Sequence, residues 1–365
     1  MSSEALIDHS SERIGQAIVK VVGIGGGGCN AVTRMYHERI LGVEYMAVNT
    51  DAQHLMQLDV PTKIRVGDKL TRGLGVGGNP EIGRDSAEES RDELYEATRG
   101  SDMVFVAAGM GGGTGTGACP VVAEIAKESG ALTIAVVTKP FNFEGHRRKK
   151  QAEDGINLLR DRVDSLIVIP NDRLLDMCEE NVTTEQAFKL ADDVLRQAVQ
   201  AIAELVTISG TINLDFADVK SIMSGAGPAW MAIGTGSGEN RAVEAAHNAI
   251  NSPLLDVSIE GAKGVLLNVA GGADLTMHEV HKAVKEIEQI TDPNVNLIFG
   301  MVQDLKLEDE VKVTIIATGF PGVDAFIPED QLEQLVFDID GKDDLDVPPF
   351  LRRHPSLRRR GRQGL

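Results

Sequence analysis

The sequence offers little for a disulfide framework or a metal centre. Of 365 residues only Cys29, Cys119 and Cys178 are cysteine, an odd number, far apart, with no C-x-x-C pair. They are expected to be small buried hydrophobic groups. No apolar run approaches the ~18 uninterrupted residues that a bilayer-spanning helix needs. Residues 1–13 are polar and acidic, with neither a basic start nor an apolar stretch, so no export signal is read there and a cytoplasmic protein is expected. Basic charge is also short: 36 Lys and Arg stand against 55 Asp and Glu, a net charge of −19. Apart from the extreme C-terminus, that balance argues against a nucleic-acid binder of the bulk-electrostatic kind. The P-loop signature G-x-x-x-x-G-K-[ST] is absent, and no internal repeat is apparent.

What is present is an ordinary globular composition, 42% apolar and 25% charged, which excludes wholesale disorder. The length predicts two domains, or one large domain with appendages. Between residues 17 and 169, short apolar runs (AIVKVVGI, VEYMAVN, SDMVFVAAG, ALTIAVVT, VDSLIVIP) alternate with helix-like segments at 31–39, 81–99, 120–129 and 144–162. Such alternation predicts βαβ units and a parallel sheet covered on both faces, with ligands bound at its carboxyl edge. Residues 183–207 lack Pro and Gly and carry a helical apolar stripe. About 25 residues at 1.5 Å each make a helix near 37 Å, long enough to join two domains. Beyond it, helices at 216–223, 241–251 and 277–290 alternate with WMAIGTGS, GAKGVLLNVAG, NVNLIFGMV and EVKVTIIATGF. They predict a compact α+β domain with a mixed sheet ending near residue 320. Residues 324–346 hold nine acidic side chains and one base, an acidic linker, after which Arg352, Arg353, Arg358, Arg359, Arg360 and Arg362 reverse the sign.

Glycine is the outlier, with 39 residues gathered in a few places. Gly23, Gly25 and Gly28 satisfy G-x-G-x-x-G between a strand and a helix, and Asp51 follows the second strand, so a dinucleotide-binding fold is one reading. GMGGGTGTGA at 109–118 sits less easily in that scheme. Its bare amides, with the Thr114 and Thr116 hydroxyls and a following helix N-terminus, suit an anion. RGLGVGGNP at 72–80 is a third such loop, placed to close over a terminal phosphate. Tight turns alone are the lesser reading of one glycine loop, and three on one sheet edge point to a bound polyphosphate.

These motifs carry a resemblance. GGGTGTG at 111–117, together with GIGGGGCNAV, NTDAQ, LTRGLGVGGNPEIG, VVTKPFNFEG, IPND and NLDFADV, resembles the tubulin/FtsZ GTPase superfamily, in particular its bacterial cell-division members, over about residues 17–320. Cys29 departs from the pattern, since many relatives have Gly or Asn there. The resemblance implies a Rossmann-like parallel-sheet GTPase domain (17–182) joined by a long central helix (183–207) to a smaller α+β domain with a mixed sheet (208–320). A flexible extension (1–16), an acidic disordered linker (321–344) and a partner-binding peptide with a basic tail (345–365) flank them. It implies GTP and GDP as ligands, with Mg2+ carried by the nucleotide and no metal held by protein alone. Gly26, Gly27, Gly28, Cys29 and Asn30, with Gly112, Gly113, Thr114, Gly115 and Thr116, would contact phosphates. Glu144 and Arg148 would contact ribose and phosphate, though their spacing alone suits a surface ion pair. Asn171, Phe188 and Asp192 would read the base, Phe188 by stacking and Asp192 by accepting from guanine amines.

Asn213, Asp215 and Asp218 lie after the long helix, far from the glycine loops. By themselves Asp215 and Asp218 suit the start of a helix, as N-cap and first-turn charge. The resemblance makes the three catalytic on the nucleotide of an adjacent, head-to-tail subunit, so that assembly activates hydrolysis and an open filament forms. It further implies the division ring at mid-cell, on the inner face of the membrane. Residues 345–353, with Leu345, Val347, Phe350 and Leu351 beside Arg352 and Arg353, would then bind membrane anchors and regulators of the ring. The terminal arginines add attraction to anionic lipid or to sister filaments. Two other classes remain: a nicotinamide-dependent dehydrogenase, favoured by G-x-G-x-x-G and Asp51, and a non-hydrolysing scaffold that uses nucleotide only to fold.

Overall fold

The computed structural model describes residues 17–320, apart from 41, 176–177, 179–181, 208–214, 256–258 and 305. The N-terminal extension, Asn213, the acidic linker and the basic tail lie outside the described residues.

Runs of Val, Ile, Ala and Phe without polar alternation need shelter on both faces, and they form the parallel part of one ten-stranded sheet. The first half of the chain runs β1 (Val19–Ile24), α1 (Gly25–Glu38), β2 (Val43–Asn49), α2 (Ala52–Gln57), β3 (Thr62–Arg65), α3 (Asp68–Thr71), α4 (Pro80–Glu89) and α5 (Arg91–Thr98). It continues β4 (Met103–Gly109), α6 (Thr114–Glu128), β5 (Leu132–Lys139), α7 (His146–Arg160), β6 (Ser165–Pro170), α8 (Asn171–Leu175) and α9 (Thr184–Thr207). The second half runs α10 (Phe216–Met223), β7 (Gly227–Ser237), α11 (Arg241–Ile250), β8 (Gly264–Gly271), α12 (Met277–Glu288), β9 (Asn296–Gln303) and β10 (Glu310–Thr318). The strand order is β3-β2-β1-β4-β5-β6-β7-β10-β8-β9.

Val19 of β1 stands opposite both Val43 of β2 and Met103 of β4, so the chain reverses its direction of travel across the sheet on either side of β1. Open α/β sheets bind ligands at that switch point. The alternating faces of the central strands feed two cores. Val21, Phe105 and Ile134 pack with α1, α9 and α10, while Val22, Val104 and Ala135 pack under α4 to α7. A third core lies between α11, α12 and the far strands.

The sheet is continuous, which the sequence did not suggest. Strand β7 begins at Gly227, three residues earlier than expected, and Gly227–Ala229 pair parallel with Ser165–Ile167 of β6. Asp164 fixes this seam: its carbonyl accepts from the Gly227 amide at 2.9 Å and its carboxylate from the Gly225 amide at 3.3 Å. Strand β10 is antiparallel to β7 and β8, and β9 is parallel to β8, giving the expected mixed sheet.

Several boundaries move for local reasons. The glycines after β1 belong to α1 rather than to a loop before it. Helix α6 starts at Thr114, six residues before Pro120, and passes through the proline by giving up one bond to the Thr116 carbonyl. The expected helix at 81–99 is two, divided at Ser90. The segment expected as a helix from Glu144 is broken at Gly145 (φ 97°), leaving Glu144 in a separate 3-10 turn. The long α9 matches its expected span and buries Ala187, Ala191, Val194, Leu195, Ala198, Ile202 and Leu205. Among the described residues, no helix is long and apolar enough to cross a membrane.

Candidate nucleotide site

A cleft of about 570 Å³ opens where β1, β2, β4, β5 and β6 end. Each strand delivers its own contribution. Gly26 and Gly27 follow β1, Asn49 and Asp51 mark the end of β2, and Gly112, Gly113, Thr114 and Gly115 follow β4. Pro140, Glu144 and Arg148 follow β5, and Asn171 follows β6. The third glycine loop reaches in with Gly75, Val76, Gly77 and Gly78, and α9 closes the far wall with Phe188, Asp192 and Leu195. A larger cleft, about 770 Å³, lies around Tyr36, Glu44 and Asp59 at the opposite ends of these strands and holds none of the glycine loops.

The glycines divide into two kinds. A Cβ on Gly28 would stand 2.2 Å from the Ala107 carbonyl oxygen, one on Gly115 2.6 Å from that of Gly109, and one on Gly117 1.9 Å from that of Pro80. These three are glycine because backbones pack there. Gly26 and Gly112 meet nothing within 4 Å. Nothing in the protein needs their bareness, and both line the cleft, so the open space beside them suits a ligand that approaches the backbone closely.

The other expected site residues sort similarly. The Cys29 thiol is buried, reaches the Gly23 and Val48 carbonyls, and is pushed up to about 12 by burial, so its side chain is structural. Cys119 is buried too, while Cys178 is half-buried, contrary to expectation. Thr114 lines the cleft and shares a 2.9 Å hydroxyl contact with Thr50. Thr116 is buried behind the loop and accepts from the Gly111 amide at 2.8 Å, bracing the turn rather than lining the cleft. Glu144 pairs with Arg148 and also accepts from the Phe141 amide at 2.9 Å. Phe188 is exposed and stands edge-on to Phe141, with ring centres 5.3 Å apart.

One group in the wall is left without a partner, and a second is a partly buried carboxylate held by a single ion pair. Asn171 is buried in the wall, and its Oδ1 has no hydrogen-bond partner, a cost of about 1–3 kcal/mol that a donor on a ligand would offset. Asp192 is pushed up to about 6 by burial, with the Arg34 guanidinium 3.4 Å away acting in the opposite direction. An aromatic face, an unsatisfied acceptor and a desolvated carboxylate at one end, with bare glycines at the other, fit a nucleoside polyphosphate. Asp51 does not act as the ribose-binding acid of a dinucleotide fold. Its Oδ1 accepts from the Gln53 and His54 amides and caps α2.

Asp215 and Asp218 lie elsewhere, exposed at the start of α10. They form a capping box: Asp215 accepts from the Ala217 amide at 2.6 Å, and Asp218 accepts from the Asp215 amide at 3.3 Å. Phe188 and Thr207 are separated along α9 by about 28 Å, at 1.5 Å per residue, and the acidic pair follows the far end. The structure therefore does not bring them to the cleft of their own chain. Among the described residues no group of three or more His, Cys, Asp or Glu converges. The donors at the glycine end are amides and a hydroxyl, a set that suits Mg2+ carried in on the nucleotide.

Residues that sequence reasoning missed also shape the cleft. His54 and Asn49 line it, Arg34 pairs with Asp192, and Gln151 donates to the Gly78 carbonyl at 3.1 Å. Only their place at the end of β2 and in the short helix that follows marked the first two.

The comparisons agree with this geometry. The Tubulin/FtsZ family GTPase domain matches residues 18–179, and the FtsZ family C-terminal domain matches residues 227–321. The chain belongs to the tubulin/FtsZ family of GTPases. A solved FtsZ dimer from M. jannaschii is 49% identical, covering 83% of this chain and 88% of that one, with a TM-score of 0.81. CetZ1 of Haloferax volcanii, a GDP-bound monomer, is 23% identical, covering 88% and 99%, with a TM-score of 0.74. CetZ2 of the same organism, a GTPγS-bound protofilament, is 20% identical, covering 88% and 98%, with a TM-score of 0.70. At those identities the two CetZ structures bear on the fold alone.

Proposed function

We propose that this chain is a filament-forming GTPase that hydrolyses GTP at the joint between head-to-tail copies and builds the bacterial division ring. The observation that carries this reading is the separation of the two halves of the chemistry. The nucleotide cleft faces the carboxyl edge of the sheet, and Asp215 and Asp218 stand beyond the other end of α9. Acids so placed reach a γ-phosphate only on another copy. Such a contact is heterologous and open, so it propagates as a filament. A relative at 49% identity solved as a dimer supports self-association.

Phosphoryl transfer to water asks mostly for positioning and charge stabilisation. Amides of Gly26–Asn30 and of Gly112–Thr116, with the Thr114 hydroxyl, would hold the phosphates, with Thr116 bracing their loop. Glu144 and Arg148 would hold ribose and phosphate, while Asn171, Phe188 and Asp192 select guanine. Mg2+ on the nucleotide would neutralise charge on its phosphates. Asp215 and Asp218 of the neighbour, with Asn213, orient and polarise the attacking water. Loss of the γ-phosphate weakens the joint, and the filament turns over. The resemblance of residues 345–353 to a docking peptide supports binding of membrane anchors and regulators, and hence a cytoplasmic location at mid-cell on the inner face of the membrane.

Light scattering with GTP, GDP, ATP and NAD in parallel, with released phosphate measured, tests the reading. Scattering with phosphate release in GTP alone is expected. Phosphate release from GTP without any assembly, or an equal response to ATP, would contradict it.

A further inference from the structure

Strand β2 ends in a chain of side chains that the phosphate loops do not explain. Asn49 is buried, and its Oδ1 accepts from two backbone amides, Thr50 at 2.9 Å and Asp51 at 3.4 Å. That fixes which end of its side-chain amide is left over. Its Nδ2, a donor only, lies 3.0 Å from Nδ1 of His54. The ring must therefore accept at Nδ1, which places its proton on Nε2. Nε2 in turn lies 3.0 Å from Oδ1 of Asn30 and donates to it. With its oxygen turned toward His54, Asn30 presents its NH2 on the other side. Asn30 is exposed on α1, one turn beyond Gly26 and Gly27, which line the cleft, so it shares their face.

We infer that His54 is a positioning residue for the nucleotide: through Asn49 it is held as an acceptor–donor relay that turns the Asn30 amide NH2, rather than its carbonyl, toward the bound ligand. The inference rests on the cleft being the nucleotide site. Its physical point is orientation. The two ends of an asparagine amide are nearly equal in shape, so without the ring Asn30 is free to rotate. A flipped amide then sets a carbonyl oxygen against the acceptor-rich phosphates and sugar. The His54 backbone is itself fixed, its amide donating to Asp51 at 3.1 Å in the cap of α2. The relay thus couples the end of β2 to the helix that follows β1, across the mouth of the cleft.

GDP affinity of the full chain tests this by a double-mutant cycle. Asn30→Ala and His54→Ala are each expected to bind GDP about three- to tenfold more weakly, the scale of one neutral hydrogen bond. The double variant should bind no more weakly than Asn30→Ala alone. His54→Gln should recover most of the affinity, because its Oε1 accepts from Asn49 while its Nε2 donates to Asn30. Undiminished binding by Asn30→Ala overturns the inference, as does an equal loss from His54→Ala in both backgrounds or a failure of Gln to recover binding. Long-range proton–nitrogen NMR of the parent chain gives a reading independent of any variant. A bare Nδ1 with a protonated Nε2 is expected, and a protonated Nδ1 overturns the assignment. A parent chain that binds no GDP would instead sink the nucleotide reading itself.

Discussion

The Arg34 guanidinium lies 3.4 Å from the Asp192 carboxylate and ties the helix after the first strand to the long helix on the far wall of the cleft. Burial raises the Asp192 carboxyl to about 6, the neighbouring Asp193 adds to the rise, and Arg34 opposes both. An ionised carboxylate accepts from guanine amines and a protonated one does so poorly. GDP affinity is therefore expected to rise with pH through about 6, and Asp192→Asn should bind weakly with a flat profile. Arg34→Met should move the rise to higher pH. Calorimetric titrations at several pH values measure all three.

The same shift has the opposite sign for stability of the nucleotide-free chain. A folded-state value above the unfolded one means that the group's contribution is fully present below about 3.9 and is lost as pH rises through about 6. Relative to the parent, Asp192→Asn should gain about 2–3 kcal/mol between pH 4 and pH 7, read from urea midpoints.

The glycines separate folding from binding. Gly28→Ala forces a Cβ to 2.2 Å from a backbone oxygen and should unfold the domain or lower its midpoint severely. Gly26→Ala and Gly112→Ala meet no protein atom within 4 Å, so their thermal midpoints should match the parent while nucleotide binding falls tenfold or more. Thermal melts alongside GDP titrations check this.

Asp215 and Asp218 carry a cap as well as the proposed chemistry. Asp215→Ala and Asp218→Ala should keep GTP binding and lose hydrolysis, at a stability cost of about 1 kcal/mol each. Asp215→Asn keeps a capping oxygen but not the charge, and should lose hydrolysis at nearly parental stability. Phosphate release and urea unfolding, run together, separate the two roles.

In the C-terminal half, Arg241 is almost fully buried between Asp274 at 2.7 Å and Glu279 at 2.8 Å. Its hydrogen bond holds the Glu279 carboxyl at about 2. A depressed value contributes stability above the unfolded value, about 4.3, and that contribution is lost as pH falls through about 2. Arg241→Met should lower stability at pH 7 and flatten the acid limb between pH 4 and pH 2, measured by denaturant titration.

The parallel strands were legible in the sequence because unbroken β-branched runs have only one way to be covered, and α9 because its apolar stripe keeps phase over its whole length. The edge strand β3 was not, since TKIR buries only Ile64 and carries no run. Neither was the joining of the two sheets, which depends on Asp164 gripping the amides of Gly225 and Gly227 across a long stretch of chain. The glycine loops were legible as a group. Which glycines face the cleft and which are pressed against backbone was not, because that is decided by neighbours such as Ala107 and Pro80 distant in sequence. His54 escaped notice because its contact with Asn30, 24 residues earlier, arises only when the end of β2 lies beside α1.

The dependence of turnover on chain concentration tests the shared active site most directly. GTP hydrolysis per chain should fall toward zero on dilution below the concentration at which light scattering disappears, and return with assembly. A rate per chain that stays constant through that dilution would contradict the account.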